Sequence, residues 1–160
     1  MPAQFRSSTP CEIVQLSCGF NSTVFLLNNG EVWACGSNKY EQLGLNRKQL
    51  LQGKKGEKKN EISDDLLPPG VKQRIADLEA TQDVEKPTKV TIVHEAVSQK
   101  VAQVSAGYFH VHVCTSEGMV FGWGRNDRGQ LGIGKKVAIV NQPTRLKSLA
   151  DKKVLMTANG

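Results

Sequence analysis

The chain has 160 residues, of which 39% are apolar and 22% charged, and a formal net charge of +6. That length suits one ordinary domain, and the composition is that of a chain that folds around a core. No apolar run approaches the roughly 20 residues of a membrane-spanning helix. The first ten residues lack the basic start and apolar stretch of a secretory leader, so an intracellular place, cytoplasmic or nuclear, is expected and no membrane partner.

Residues 1–10 read as a polar lead-in, and residues 11–46 as a first structural unit. A strand is expected over 12–17, where Ile13, Val14 and Leu16 are apolar, and a second over 23–27, rich in β-branched and aromatic side chains. Asn28-Asn29-Gly30 is a hairpin signal, because Asn and Gly tolerate the positive φ of tight turns. A third strand is expected over 31–35, completing an antiparallel meander.

At residue 47 the composition changes. Arg47, Lys48, Lys54, Lys55, Lys58 and Lys59 stand against one acid over 47–59, whereas 61–85 holds seven acids against two bases. The basic part is low in complexity and is expected to be disordered. Val71, Ile75, Leu78 and Gln82 fall at helical spacing and predict a short amphipathic helix. We take 47–83 as an insertion, and its six basic residues as the candidate partner-binding segment. A second unit over 84–134 repeats the meander, with strands near 101–105, 110–115 and 119–123 and a turn at Ser116-Glu117-Gly118. Residues 135–160 form a basic linker and a further fragment.

The two units are copies. Residues 13–46 align with 101–134 without a gap, and ten of the 34 positions are identical, among them Gln15/Gln103, Ser17/Ser105, Gly30/Gly118, Asn38/Asn126, Gln42/Gln130 and Gly44/Gly132. Shared glycine positions imply a shared backbone path. A third copy begins at Val154-Leu155-Met156-Thr157-Ala158-Asn159-Gly160, 53 residues after Val101. The longer first offset, 88 residues, leaves about 35 residues of excess in the first repeat, which is the insertion.

Few residues suggest chemistry. Cys11, Cys18, Cys35 and Cys114 include no CxxC pair, and three of them fall where another copy has an apolar residue. They read as small buried hydrophobes in a reducing compartment. His110 and His112 share a strand face, a spacing zinc sites use, but without a third ligand nearby a hydrogen bond to a neighbouring sheet is the better reading. The stretch from Gly129 to Lys136 resembles a phosphate-binding loop but has Lys136 where the motif needs Ser or Thr, and it reads as the repeat's own turn. Trp33 and Trp123 read as packing residues. No catalytic residue, metal ligand or cofactor site is expected.

The pattern carried by Ser105-Ala106-Gly107, His110, Gly118, Val120-Phe121-Gly122-Trp123-Gly124, Asn126 and Gly129-Gln130-Leu131-Gly132 closely resembles the regulator-of-chromosome-condensation repeat. The first copy carries it in Ser17-Cys18-Gly19, Gly30, Val32-Trp33, Gly36, Asn38 and Gln42-Leu43-Gly44. The resemblance implies an all-β fold, a partial β-propeller of two antiparallel blades plus the start of a third. A complete propeller of this family has seven four-stranded blades, so two repeats are expected to need further repeats or another chain. The implied function is a protein–protein interaction module. An alternative is a guanine-nucleotide exchange factor for a Ran-like small GTPase, and a second is chromatin or nucleic-acid binding through the basic segments. The insertion, as the individual feature of this chain, is expected to carry specificity.

Overall fold

The computed structural model describes residues 11–46, 49–50, 83–134 and 137–160. The expected helix at 71–82, and all six basic residues of the candidate segment, lie outside these. No helix among the described residues is long and apolar enough to cross a membrane.

Among the described residues, two four-stranded antiparallel sheets dominate the fold. The first runs in the order β1 (Ile13–Gly19), β2 (Ser22–Leu27), β3 (Val32–Gly36) and β4 (Val84–Val90). A two-stranded ribbon follows, β5 (Val93–His94) with β6 (Val97–Ser98). The second sheet holds β7 (Val101–Ala106), β8 (His110–Thr115), β9 (Val120–Arg125) and β10 (Ile139–Arg145), and a 3-10 turn occupies Lys147–Leu149.

The expected meanders are present, and each gains a fourth strand. β4 lies within the unit assigned to the second repeat yet pairs with β3 of the first, so sheet and sequence repeat are offset by one strand. Pro87 and Pro143 sit in these fourth strands, which have no outer paired neighbour among the described residues, at the places where the ladder register shifts and a missing N–H is tolerated.

The copies share their backbone closely. Gly30 and Gly118 close equivalent hairpins at φ +83° and +86°, values that L side chains adopt only with strain. In the first turn Leu27 N–H donates to Glu31 O and Gly30 N–H to Leu27 O; Thr115, Met119 and Gly118 repeat both bonds.

One core joins the sheets. Val24, Leu26, Val32, Ala34, Leu43 and Leu45 from the first pack against Val101, Val104, Val111, Val113, Phe121 and Trp123 from the second. Burying each such aliphatic side chain contributes roughly 1.5–3 kcal/mol. The central strands of the second sheet are buried on both faces, whereas β2 and β3 alternate, because none of the described sheets covers the outer face of the first. That uncovered face explains a departure from expectation among the cysteines. All four are free thiols, but only Cys114 is buried; Cys18 points outward from β1 and is exposed.

Candidate functional site

The loops at one end of both sheets converge on an aromatic cluster. Phe20 follows β1 and Tyr108 follows β7, at equivalent places in the two repeats. Their rings stack at 4.8 Å with an interplanar angle of 24°. Both remain largely exposed, at 45% and 58%. Phe109 meets Phe20 edge-on at 5.4 Å and Tyr40 at 4.5 Å. Asn21 stands where the second repeat has Phe109, and its φ of +55° suits the short polar side chain.

Cations edge this cluster. The Arg125 guanidinium lies over both Tyr40 and Phe109, 5.1 and 5.6 Å from the ring centres, and Lys39 Nζ lies 5.7 Å from the Tyr40 ring. Arg125 also donates from Nε and Nη2 to the two oxygens of Asp127, at 2.9 and 2.6 Å. That pairing holds the Asp127 carboxyl below its ordinary range and raises Arg125 above its own.

The turns after β3 and β9 support the cluster from below. In each, a buried Asn side chain accepts from a Leu backbone N–H: Leu43 to Asn38 Oδ1 and Leu131 to Asn126 Oδ1, both at 3.1 Å. In each, a Gln oxygen accepts from the backbone two residues earlier, Tyr40 to Gln42 at 2.8 Å and Arg128 to Gln130 at 2.9 Å. Beyond that the turns diverge. Glu41 adopts φ +57° where its counterpart is Gly129 at +74°, and burial pushes its carboxyl pKa up. Gln130 Nε2 reaches Asp127 Oδ1 at 3.4 Å, but Lys39 holds Asp127's position in the first turn. Gln42 Nε2 is closed to solvent and, among the described residues, has no hydrogen-bond partner.

The first turn also ties the sheets together. Gln42 O accepts from Trp123 Nε1 at 2.9 Å, and Gly44 lies flat beneath the indole, where a Cβ would stand 2.7 Å from Nε1. Trp123 is thus a packing residue. Trp33 donates to Glu31 Oε2 at 3.2 Å from a half-buried place.

The histidines serve the sheet contacts. His112 is buried, with Nδ1 2.9 Å from Asn159 Oδ1 and Nε2 3.3 Å from Leu131 O. The His110 ring lies against Gly107, and burial first, then the nearby His112, lowers its pKa. Among the described residues no group of three or more His, Cys, Asp or Glu is placed to hold a metal ion. Gly129 and Gly132 belong to the turn after β9 that matches the turn at Glu41 and Gly44; Lys135 and Lys136 lie outside the described residues.

Models of the regulator of chromosome condensation (RCC1) repeat match residues 13–42, 101–130 and 117–160. The chain belongs to the RCC1 repeat family. Over its whole length this RCC1-repeat chain is 29% identical to mouse probable E3 ubiquitin-protein ligase HERC4, of which it spans 12%. It is 24% identical, again over its whole length, to the ultraviolet-B receptor UVR8 of Arabidopsis thaliana, of which it spans 28%. The chain is therefore much shorter than these relatives. Among solved structures it resembles Prp20p from Saccharomyces cerevisiae, with TM-score 0.69 and 18% identity, over 97% of this chain and 30% of that one. Human WBSCR16 gives TM-score 0.65 and 23% identity over the same shares. These likenesses establish the fold as part of an RCC1-type propeller.

The aromatic cluster was not evident in the sequence as a site. Phe20 and Tyr108 align as a conservative pair, which is a signal for equivalence but not for stacking across two sheets.

Proposed function

We propose that this chain is a non-catalytic protein-docking module, and that partners seat on the loop end where Phe20, Tyr108, Phe109 and Tyr40 gather. The observation that carries the reading is the exposed Phe20–Tyr108 stack. Two large apolar rings held in contact at a surface, edged by cations, form the kind of anchor that protein interfaces bury at their centre. The six basic residues of 47–59 remain a proposed additional contact, as does the insertion as a source of specificity.

The test is cross-linking of the chain in cell extract, comparing wild type with the double variant Phe20→Ala, Tyr108→Ala. A partner joined to wild type through this loop end and lost from a folded double variant supports the reading. A partner joined equally to both places docking elsewhere.

A small GTPase is the second reading. It is supported by the fold likeness to Prp20p, a protein described for its binding properties to Gsp1p and histones. Its test is release of a fluorescent guanine nucleotide from a Ran-like GTPase, with the chain added in excess. No acceleration would remove exchange while leaving docking intact.

A further inference from the structure

We infer that the turn at Lys39, Tyr40, Glu41 and Gln42 receives an Asp or Glu side chain of a protein partner, beside an aromatic residue that seats on Phe20 and Tyr108. This rests on the docking reading above and names the chemistry it recognises. In the second turn Asp127 supplies a carboxylate that takes Gln130 Nε2 and the Arg125 guanidinium. In the first turn Lys39 replaces Asp127 and Ser37 replaces Arg125, while the glutamine stays. Gln42 is 1% exposed and, with no carboxylate at position 39, its amide nitrogen has no partner among the described residues, a costly arrangement for a buried donor.

The orientation of that amide is known from its other end. Gln42 Oε1 accepts from Tyr40 N–H as Gln130 Oε1 accepts from Arg128 N–H, so Nε2 faces the side of the turn on which residue 39 stands. Glu41 does not fill the role, since Nε2 has no partner and burial disfavours the charged Glu41 carboxylate. Lys39, at the position of Asp127, carries an exposed cation 5.7 Å from the Tyr40 ring, and Arg128 exposes another on the neighbouring turn. An unpartnered donor and a cation on one turn call for an anion, and the stacked rings, joined to Tyr40 through Phe109, call for an apolar companion. The proposal requires the exposed Lys39 side chain to move aside as the carboxylate enters.

The experiment follows the Gln42 side-chain amide resonances of the ¹⁵N-labelled full chain. The probe is a blocked tetrapeptide with one Asp flanked by Phe, and its control is the same peptide with Asn for Asp. The Asp peptide is expected to shift the Gln42 amide and to bind about ten-fold more tightly than the control, as a charge-assisted bond does. Lys39→Asp, which supplies the carboxylate from within, is expected to shift that amide without peptide and to remove the response to it. Equal binding of the two peptides, or an undiminished response in Lys39→Asp, overturns the carboxylate assignment and leaves aromatic docking standing. An equal shift with inorganic phosphate overturns assignment to a protein side chain. No shift at Gln42, Phe20 or Tyr108 with either peptide overturns this inference, and docking then stands or falls on the cross-linking comparison.

Discussion

The carboxamide of Gln15 holds both backbone polar groups of Val104, donating from Nε2 to the carbonyl at 2.9 Å and accepting from the N–H at 3.0 Å. Gln103 makes the same pair of bonds to Thr157, at 2.7 and 2.9 Å. Ser17 Oγ accepts from Ala106 N–H, and Ser105 Oγ from Asn159 N–H, at 2.8 and 2.9 Å. Residues 154–160 therefore dock on β7 as β7 docks on β1.

Replacing Gln15 removes two bonds to the Val104 backbone, whose carbonyl keeps Gln103 Nε2 at 3.2 Å; replacing Gln103 removes that contact and three bonds to Thr157, two to its backbone and one to its hydroxyl. Gln15→Ala is expected to cost about 1–3 kcal/mol, because Val104 is buried and keeps its polar groups from water. Gln103→Ala is expected to loosen 154–160 at a smaller global cost, since that segment lies at the margin of the core. Denaturant midpoints measure the first; amide hydrogen exchange at Thr157 and Asn159 measures the second.

Gly44 and Gly132 separate two kinds of glycine requirement. Both have φ +64°, but a Cβ on Gly44 meets the Trp123 indole, whereas one on Gly132 would have only Leu146 Cδ2, at 3.8 Å. Gly132→Ala is expected to cost about 1–2 kcal/mol from backbone strain alone. Gly44→Ala adds displacement of a fully buried Trp and should cost at least about 2 kcal/mol more. Equal losses for the two, read from thermal or denaturant unfolding, would remove the indole contact from the account.

Much of this fold was legible because glycine and polar signatures recur in register, and residues 154–160 could be read as a third copy for the same reason. The fourth strands were not legible. β4 is VEKPTKV and β10 is IVNQPTR, each with a central proline and no apolar alternation, and their ladders shift register near Gly36 and Val140. The β5–β6 ribbon was equally hidden, since its turn places Glu95 and Ala96 at φ +51° and +64° with no Gly or Asn to mark it. At the candidate site, Lys39 opposite Asp127 is visible in the alignment of the copies. Its consequence for Gln42 depends on burial, which periodicity does not report.

Glu41 sets two expectations that pH distinguishes. Glu41→Gly relieves a left-handed backbone and is expected to stabilise by about 1 kcal/mol at low pH, with a further gain as pH rises because it also removes the carboxyl. Glu41→Gln leaves the backbone strained but removes the charge. Burial raises the native Glu41 pKa, so the folded chain holds this proton more tightly than the unfolded chain. The associated stability is whole below the ordinary carboxylate pKa of about 4.3 and is lost as pH rises through the raised folded value. The Gln variant should therefore match wild type near pH 4 and exceed it at pH 7, by less than about 1 kcal/mol at this half-exposed place. A stability difference that does not change with pH would contradict the burial of the carboxyl.

Cysteine alkylation tests how residues 154–160 seat. Cys114 Sγ donates to Val154 O at 2.9 Å, and burial raises its thiol pKa, so little reactive thiolate forms. Cys18 lies exposed on β1 and should be modified first, with Cys114 last, when iodoacetamide labelling at pH 8 is followed by peptide mass spectrometry. Asn159→Ala removes the bond from Nδ2 to Ser105 O at 2.6 Å and the contact with His112 at 2.9 Å. That variant is expected to raise the Cys114 rate several-fold and leave the Cys18 rate unchanged. Because Cys18 lies on β1 of the other sheet, a parallel rise at both cysteines would mean global destabilisation. An unchanged Cys114 rate would mean that the Val154 carbonyl, rather than the Asn159 anchor, keeps the thiol covered.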